Sequence, residues 1–146
     1  KNIKNISMRL DKKNTKLKEK DAYISKLLSD IKPNYRGFVD LSGTNGIYPD
    51  HWCQKDVSID FRAVKKISII EINIFNPNSL DGEISISLNE DSHTSLISSK
   101  NTKIQIKSVC EENTINSLKI NSTLDATTDK DKRNLSYVLK SISFIT

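Results

Sequence analysis

The chain has 146 residues, 36% of them hydrophobic, which is enough for one domain with a sizeable core plus an appendage. No apolar run approaches the roughly 20 residues that span a bilayer, and no signal peptide is visible. The net charge of +5 is unevenly spread: residues 1–32 carry ten Lys/Arg against four Asp/Glu and the remainder thirteen against fourteen, so a basic nucleic-acid-binding domain is not indicated.

Residues 1–31 follow a seven-residue repeat. Ile3, Leu10, Leu17, Ile24 and Ile31 occupy one seam position, and Ile6, Lys13, Lys20 and Leu27 the other. An apolar period of 3.5 residues keeps one stripe against a partner helix, which predicts an α-helical coiled coil and a homo-oligomer through residues 3–31. The seam residues point both to two and to three strands, so dimer and trimer stay open, and the lysines in the second position weaken the seam. The alternative is a lone helix folded back on its own domain. The chain opens on Lys already in this repeat, so a longer parent protein is expected. Pro33 ends the helix, because its ring cannot continue the ladder and the residue before it resists helical geometry. The expected division is a stalk over 1–32 and a β domain over 33–146.

Beyond Pro33 the period is two. Candidate strands are Tyr35–Leu41, Val57–Ala63, Ile67–Phe75, Glu83–Leu88, Ser95–Ile97, Lys103–Val109, Leu118–Leu124 and Leu135–Ile145. Turn formers separate them, among them Ser42–Gly46, Asn76–Asn78, Asp81–Gly82, Asn89–Ser92 and the polar stretch Ala126–Asn134. Eight short strands with no helix among them predict an all-β fold, an antiparallel, jelly-roll-like β-sandwich. In the last strand, alternation breaks near Leu139-Lys140-Ser141, where a β-bulge is expected.

Four glycines cannot assemble a phosphate cradle or a dinucleotide fingerprint, and no nucleophile elbow or zinc-protease helix is present. The paired carboxylates Asp129/Asp131 and Glu111/Glu112 sit in turns, where solvated side chains are the common case. Cys53 and Cys110 lie far apart with only His51 and His93 as imidazoles, too sparse for a zinc site or a disulfide framework. The expectation is a non-catalytic chain without metal or cofactor, its thiols reduced in the cytoplasm. The densest cluster of recognition-type residues is the turn Tyr48-Pro-Asp-His-Trp52, which runs straight into an alternating strand.

Ile47-Tyr-Pro-Asp-His-Trp52, together with Asp131-Lys-Arg-Asn-Leu-Ser136 at the opening of the final strand, resembles the paired signature of β-sandwich domains appended to bacterial glycosyltransferases and methyltransferases that build or terminate O antigen and capsule. The usual forms are Tyr-x-Asp-Gly-Trp and Asp-x-Arg-x-Leu-Ser. The second is matched at Asp131, Arg133, Leu135 and Ser136, whereas the first has His51 in place of glycine. The resemblance covers about residues 36–146, and a coiled-coil stalk ahead of such a module is similar to chain-length-regulating terminators of O-antigen synthesis. It implies a carbohydrate-binding-like module of a polysaccharide-assembly enzyme, with a polysaccharide or oligosaccharide as partner and with peripheral association at the inner membrane or with a transporter. On the residues themselves, Arg133 is expected to hold Asp50 while stacking on Trp52. Tyr48, Asp50, His51, Trp52 and Arg133 then supply the aromatic faces and planar polar groups that sugars require. Two further readings are a structural or protein-docking module of the same enzyme, and the head of a trimeric adhesin or phage fibre.

Overall fold

A computed structural model describes residues 31–146. The predicted coiled coil, residues 3–31, lies outside the described residues except for Ile31. Nine strands follow one another: β1 (Tyr35–Arg36), β2 (Val39–Ile47), β3 (Trp52–Ala63), β4 (Ile67–Phe75), β5 (Gly82–Leu88), β6 (Asp91–Ile97), β7 (Asn101–Cys110), β8 (Ile115–Ser122) and β9 (Tyr137–Ile145). All pairings are antiparallel except the short β1 beside β9.

The strands form two layers joined by one strand. β6, β5, β8, β3 and β2 are neighbours in that order, and β7, β4 and β9 make the second layer with β1 along its edge. β3 begins in the second layer, with Trp52 opposite Val138 and Cys53 opposite Tyr137, then crosses to pair with β8 from Asp56 to Arg62. The layers close on each other: Phe61 of β3 and Phe144 of β9, far from that shared start, bring their ring centroids to 4.9 Å. Strand alternation drives the closure. The inward side chains of β3, β4, β5, β8 and β9 are mostly Ile, Leu or Phe, these at 0–3% exposure, and each such burial is worth about 1.5–3 kcal/mol relative to leaving the side chain in water.

The predicted bulge is present. Asn73 pairs with Ser141 and Ile74 with Leu139, so Lys140 is the extra residue, and the slip lets both Leu139 and Ile142 point inward. The opening of the domain differs from expectation. The candidate strand Tyr35–Leu41 is two strands interrupted at Gly37, and Ser42–Gly46 is not a turn but the middle of β2. Turn-forming residues stand there because β2 is an irregular edge strand, with register shifts between Leu41 and Gly43 and between Asn45 and Ile47. At the second shift Gly46 has φ +87°, and a Cβ there would strike the carbonyl oxygen of Asp56. The split at Gly37 makes the count nine strands rather than eight, and β3 starts five residues early, at Trp52.

Candidate functional site

The turn between β2 and β3 is built from its backbone outward. The Tyr48 amide donates to the Trp52 carbonyl (2.8 Å) and the His51 amide to the Tyr48 carbonyl (2.8 Å), while the Trp52 amide reaches the Asp50 carboxylate at 3.3 Å. This geometry forces one left-handed residue, and it is His51, at φ +70°. Histidine thus keeps the conformation that glycine would supply, at a local cost of about 1–2 kcal/mol. The Leu139 amide donates to the His51 carbonyl (3.0 Å), anchoring the turn to β9.

Arg133 closes the cluster. It grips Asp50 with both terminal nitrogens (Nη1 to Oδ1 3.1 Å, Nη2 to Oδ2 2.9 Å) and holds Asp131 through Nε (3.1 Å) and Nη2 (2.8 Å). The ring beneath the guanidinium is that of Tyr48, 4.8 Å from its centroid, where the sequence had pointed to Trp52. Register explains the difference. Trp52 pairs with Val138 on the outer side of the second layer, whereas Tyr48 precedes the turn and lies on the side facing residues 131–133. The Arg133 fork holds the Asp50 and Asp131 carboxyls below their ordinary range, and the two carboxylates raise Arg133 in return.

The remaining motif residues hold the segment down. Leu135 is buried, its carbonyl accepting from the Ala126 amide (2.9 Å), and the Ser136 amide donates to the Cys53 carbonyl (2.8 Å). The buried Ser136 hydroxyl lies 2.7 Å from Ser122 Oγ and 2.8 Å from the Leu124 carbonyl. Beneath the turn, burial pushes the Cys53 thiol up to about 12 and raises the fully buried Tyr137 phenol well above its ordinary value, so neither is poised as a nucleophile.

Beside the clamp lies an open cleft of about 240 Å³ lined by Gln54, Lys55, Asp125, Thr127 and Asn134. It is joined to the turn by Gln54, whose Nε2 donates to the Tyr48 hydroxyl (3.1 Å). Sequence reasoning missed Gln54, Lys55, Asp125 and Asn134, since isolated polar residues in a strand and a long loop carry no spacing signal. Planar amides, two carboxylates (Asp56 and Asp125) and an ammonium around a small opening can bind vicinal hydroxyls. Among the described residues, no cluster of three or more His, Cys, Asp or Glu side chains is arranged to hold a metal ion.

No protein-family model matches the sequence, and no curated protein matches it. Among solved structures, the chain is similar to a CBM35 domain, Xyl-CBM35, in complex with a disaccharide containing glucuronic acid, and to the CBM35 domain from Cellvibrio japonicus Abf62. Each is 15% identical over 82% of this chain and 84% of the other, with a TM-score of 0.44.

Proposed function

We propose that this domain is a non-catalytic saccharide-binding module, and that its cleft at Gln54, Lys55, Asp125 and Asn134 receives one or two sugar units of a larger glycan. The observation that carries this is the clamp. Arg133 ties two segments 83 residues apart in sequence into one rigid wall, and the wall stands against an open polar cleft rather than inside the core. In this reading Tyr48 and His51 form the rim, while Asp50 and Arg133 fix the wall's shape. The parent protein is a bacterial surface-polysaccharide assembly enzyme in the cytoplasm or at the inner membrane, and residues 3–31 bundle the modules into a dimer or trimer. Weak single-site binding would then gain from multivalency across the oligomer. A cleft below the roughly 300–1,000 Å³ of tight small-molecule sites implies dissociation constants on the order of millimolar to high micromolar.

Titration of the 146-residue chain with O-antigen and capsule oligosaccharides, followed by backbone amide shifts, should move Tyr48, Gln54 and Asn134 and leave β8 unchanged. Asn134→Ala should abolish the response. Silence at millimolar sugar across the panel would overturn the reading.

One observation favours a protein-docking module instead. The guanidinium of Arg133 directs its Nε and both terminal nitrogens at carboxylates, leaving little donor capacity for a ligand. In that case Arg133→Lys would weaken enzyme assembly and leave glycan titrations unchanged.

A further inference from the structure

The outer face of the second layer carries side chains whose arrangement follows from the pairing register. At one end Trp52, Val138, Phe75 and Asn101 stand side by side across β3, β9, β4 and β7. Trp52, Val138 and Phe75 are each only partly buried, so the end of the face offers two accessible aromatic surfaces. The next row is Ser141, Asn73 and Lys103, with Lys140 pushed out beside it by the bulge. Below it lie Ser143, Glu71 and Gln105, then Ile145, Ile69 and Lys107. Six residues along β7 separate Asn101 from Lys107, so the strip is about 20 Å long.

Two open depressions lie along this strip and share Lys103. One, about 440 Å³, is bounded by Asn73, Asn101, Lys140 and Ser141. The other, about 730 Å³, lies where β6 and β7 diverge and is bounded by Asp91, His93, Gln105 and Lys107. Their walls are already oriented: Asn73 donates to Ser141 Oγ (2.9 Å), Lys140 to Asn101 Oδ1 (3.3 Å), and Gln105 to Glu71 (2.7 Å). The strip carries more ammonium than carboxylate groups. Lys103, Lys107 and Lys140 meet Glu71 on this layer and Asp91 at the edge of β6; Glu71 is met by Lys103 at 3.4 Å, and Lys107 has no ion-pair partner among the described residues. The opposite outer face has the reverse balance, with Asp40, Asp56, Asp60 and Glu83 against Arg62 and Lys119.

We propose that this strip is a second ligand site, distinct from the cleft beside Arg133, and that it takes an extended saccharide chain bearing carboxylate or phosphate groups. Partly exposed aromatics beside planar amides and hydroxyls suit sugar rings. Lys103 and Lys107 lie four residues and about 13 Å apart, too far for one small anion and suited to negative charges repeated along a chain. Densely charged nucleic acid fits less well, since Glu71 and Asp91 line the same strip and acceptor carboxylates favour hydroxyl donors.

The test uses the full 146-residue chain, ¹⁵N-labelled, with four probes: a hexamer of a uronic acid, a phosphate-bearing oligosaccharide, a neutral hexose hexamer and inorganic phosphate. Either acidic oligosaccharide should shift amides of Asn73, Lys103, Gln105 and Ser141, and the stronger of the two identifies the anion. The neutral hexamer should bind more weakly. Lys103→Gln/Lys107→Gln should reduce the affinity for the acidic chain roughly tenfold, as expected for two exposed charge contacts. The Gln54 and Asn134 amides report the other cleft separately, so failure here and failure there are distinguishable. No shift on β4, β7 and β9, equal affinity for acidic and neutral hexamers, or the same shifts with inorganic phosphate alone would each overturn the proposal.

Discussion

Arg133 is the residue on which the candidate site depends, and its environment fixes how it should respond to pH. The clamp is partly open to solvent, with side-chain exposures of 34% for Arg133 and 50% for Asp50, so screening limits its worth. Arg133→Gln should therefore lower stability by only about 1 kcal/mol, because a bidentate pair exceeds an ordinary surface ion pair while remaining far below a buried one. The sign with pH follows from the depressed carboxyls. Stabilisation by Asp50 and Asp131 is fully present above the ordinary carboxylate pKa of about 4 and is lost as pH falls through their lower folded values. Thermal melts should show the gap between wild type and Arg133→Gln at pH 7, and the gap should close toward pH 2. A gap that widened in acid would contradict the assignment. At the neighbouring position, His51→Gly should change stability by less than about 1 kcal/mol, since relief of the left-handed strain offsets the added freedom of the unfolded chain. His51→Val should destabilise, because a β-branched residue resists positive φ. The same pair of variants separates conformation from recognition: a glycine variant that melts normally yet loses sugar binding makes His51 a ligand contact.

Among the elements, β9 is the most constrained. It pairs with β4, with β1 and with the start of β3, and its two inward runs, Tyr137 and Leu139, then Ile142 and Phe144, are in phase only because Lys140 is extra. Deleting Lys140 removes the extra residue and leaves Ser141 and Ser143 outward and Ile142 and Phe144 inward, so both faces keep their side chains and the strand can pair regularly with β4. The deletion variant should therefore fold, as judged by retained amide dispersion, and Lys140→Ala should melt within about 0.5 kcal/mol of wild type because the side chain is exposed. A deletion variant that lost its amide dispersion would show that the local twist of the bulge is needed as well as the phase of the strand. Both motifs flank the start of this pairing, with Trp52 opposite Val138 and the Ser136 amide on the Cys53 carbonyl, so β9 also positions the clamp.

For the whole molecule, the described domain is one sandwich whose two outer faces differ in charge and whose end carries the Arg133 clamp. The basic excess of the chain falls on residues 1–32, which precede it. If residues 3–31 form the expected coiled coil, the 146-residue chain should sediment as a dimer or trimer and a chain starting at Pro33 as a monomer. Leu at Lys13 and Lys20 should strengthen association by removing like charges from the seam. A monomeric full chain would remove the stalk from the reading and, with it, the avidity on which weak glycan binding relies.

By itself the sequence determined the all-β character and the bulge, because these follow from local alternation. Ile59, Phe61, Ile70, Ile72, Ile84, Ile86 and Leu139 are buried where a period of two places them. It also brought Asp50 and Arg133 together, through two short motifs and the affinity of a guanidinium for a carboxylate. Only the tertiary structure decided which ring lies under Arg133, since whether Tyr48 or Trp52 faces residues 131–133 depends on where β3 leaves the second layer. The same holds for Ser42–Gly46, whose turn-like composition serves an irregular edge strand, and for Gln54 and Asn134, which share a cleft only because two distant segments meet there. Alternation is a property of neighbours along the chain and can be read from it, whereas cross-strand register and strand crossing between layers are set by contacts among residues far apart in sequence.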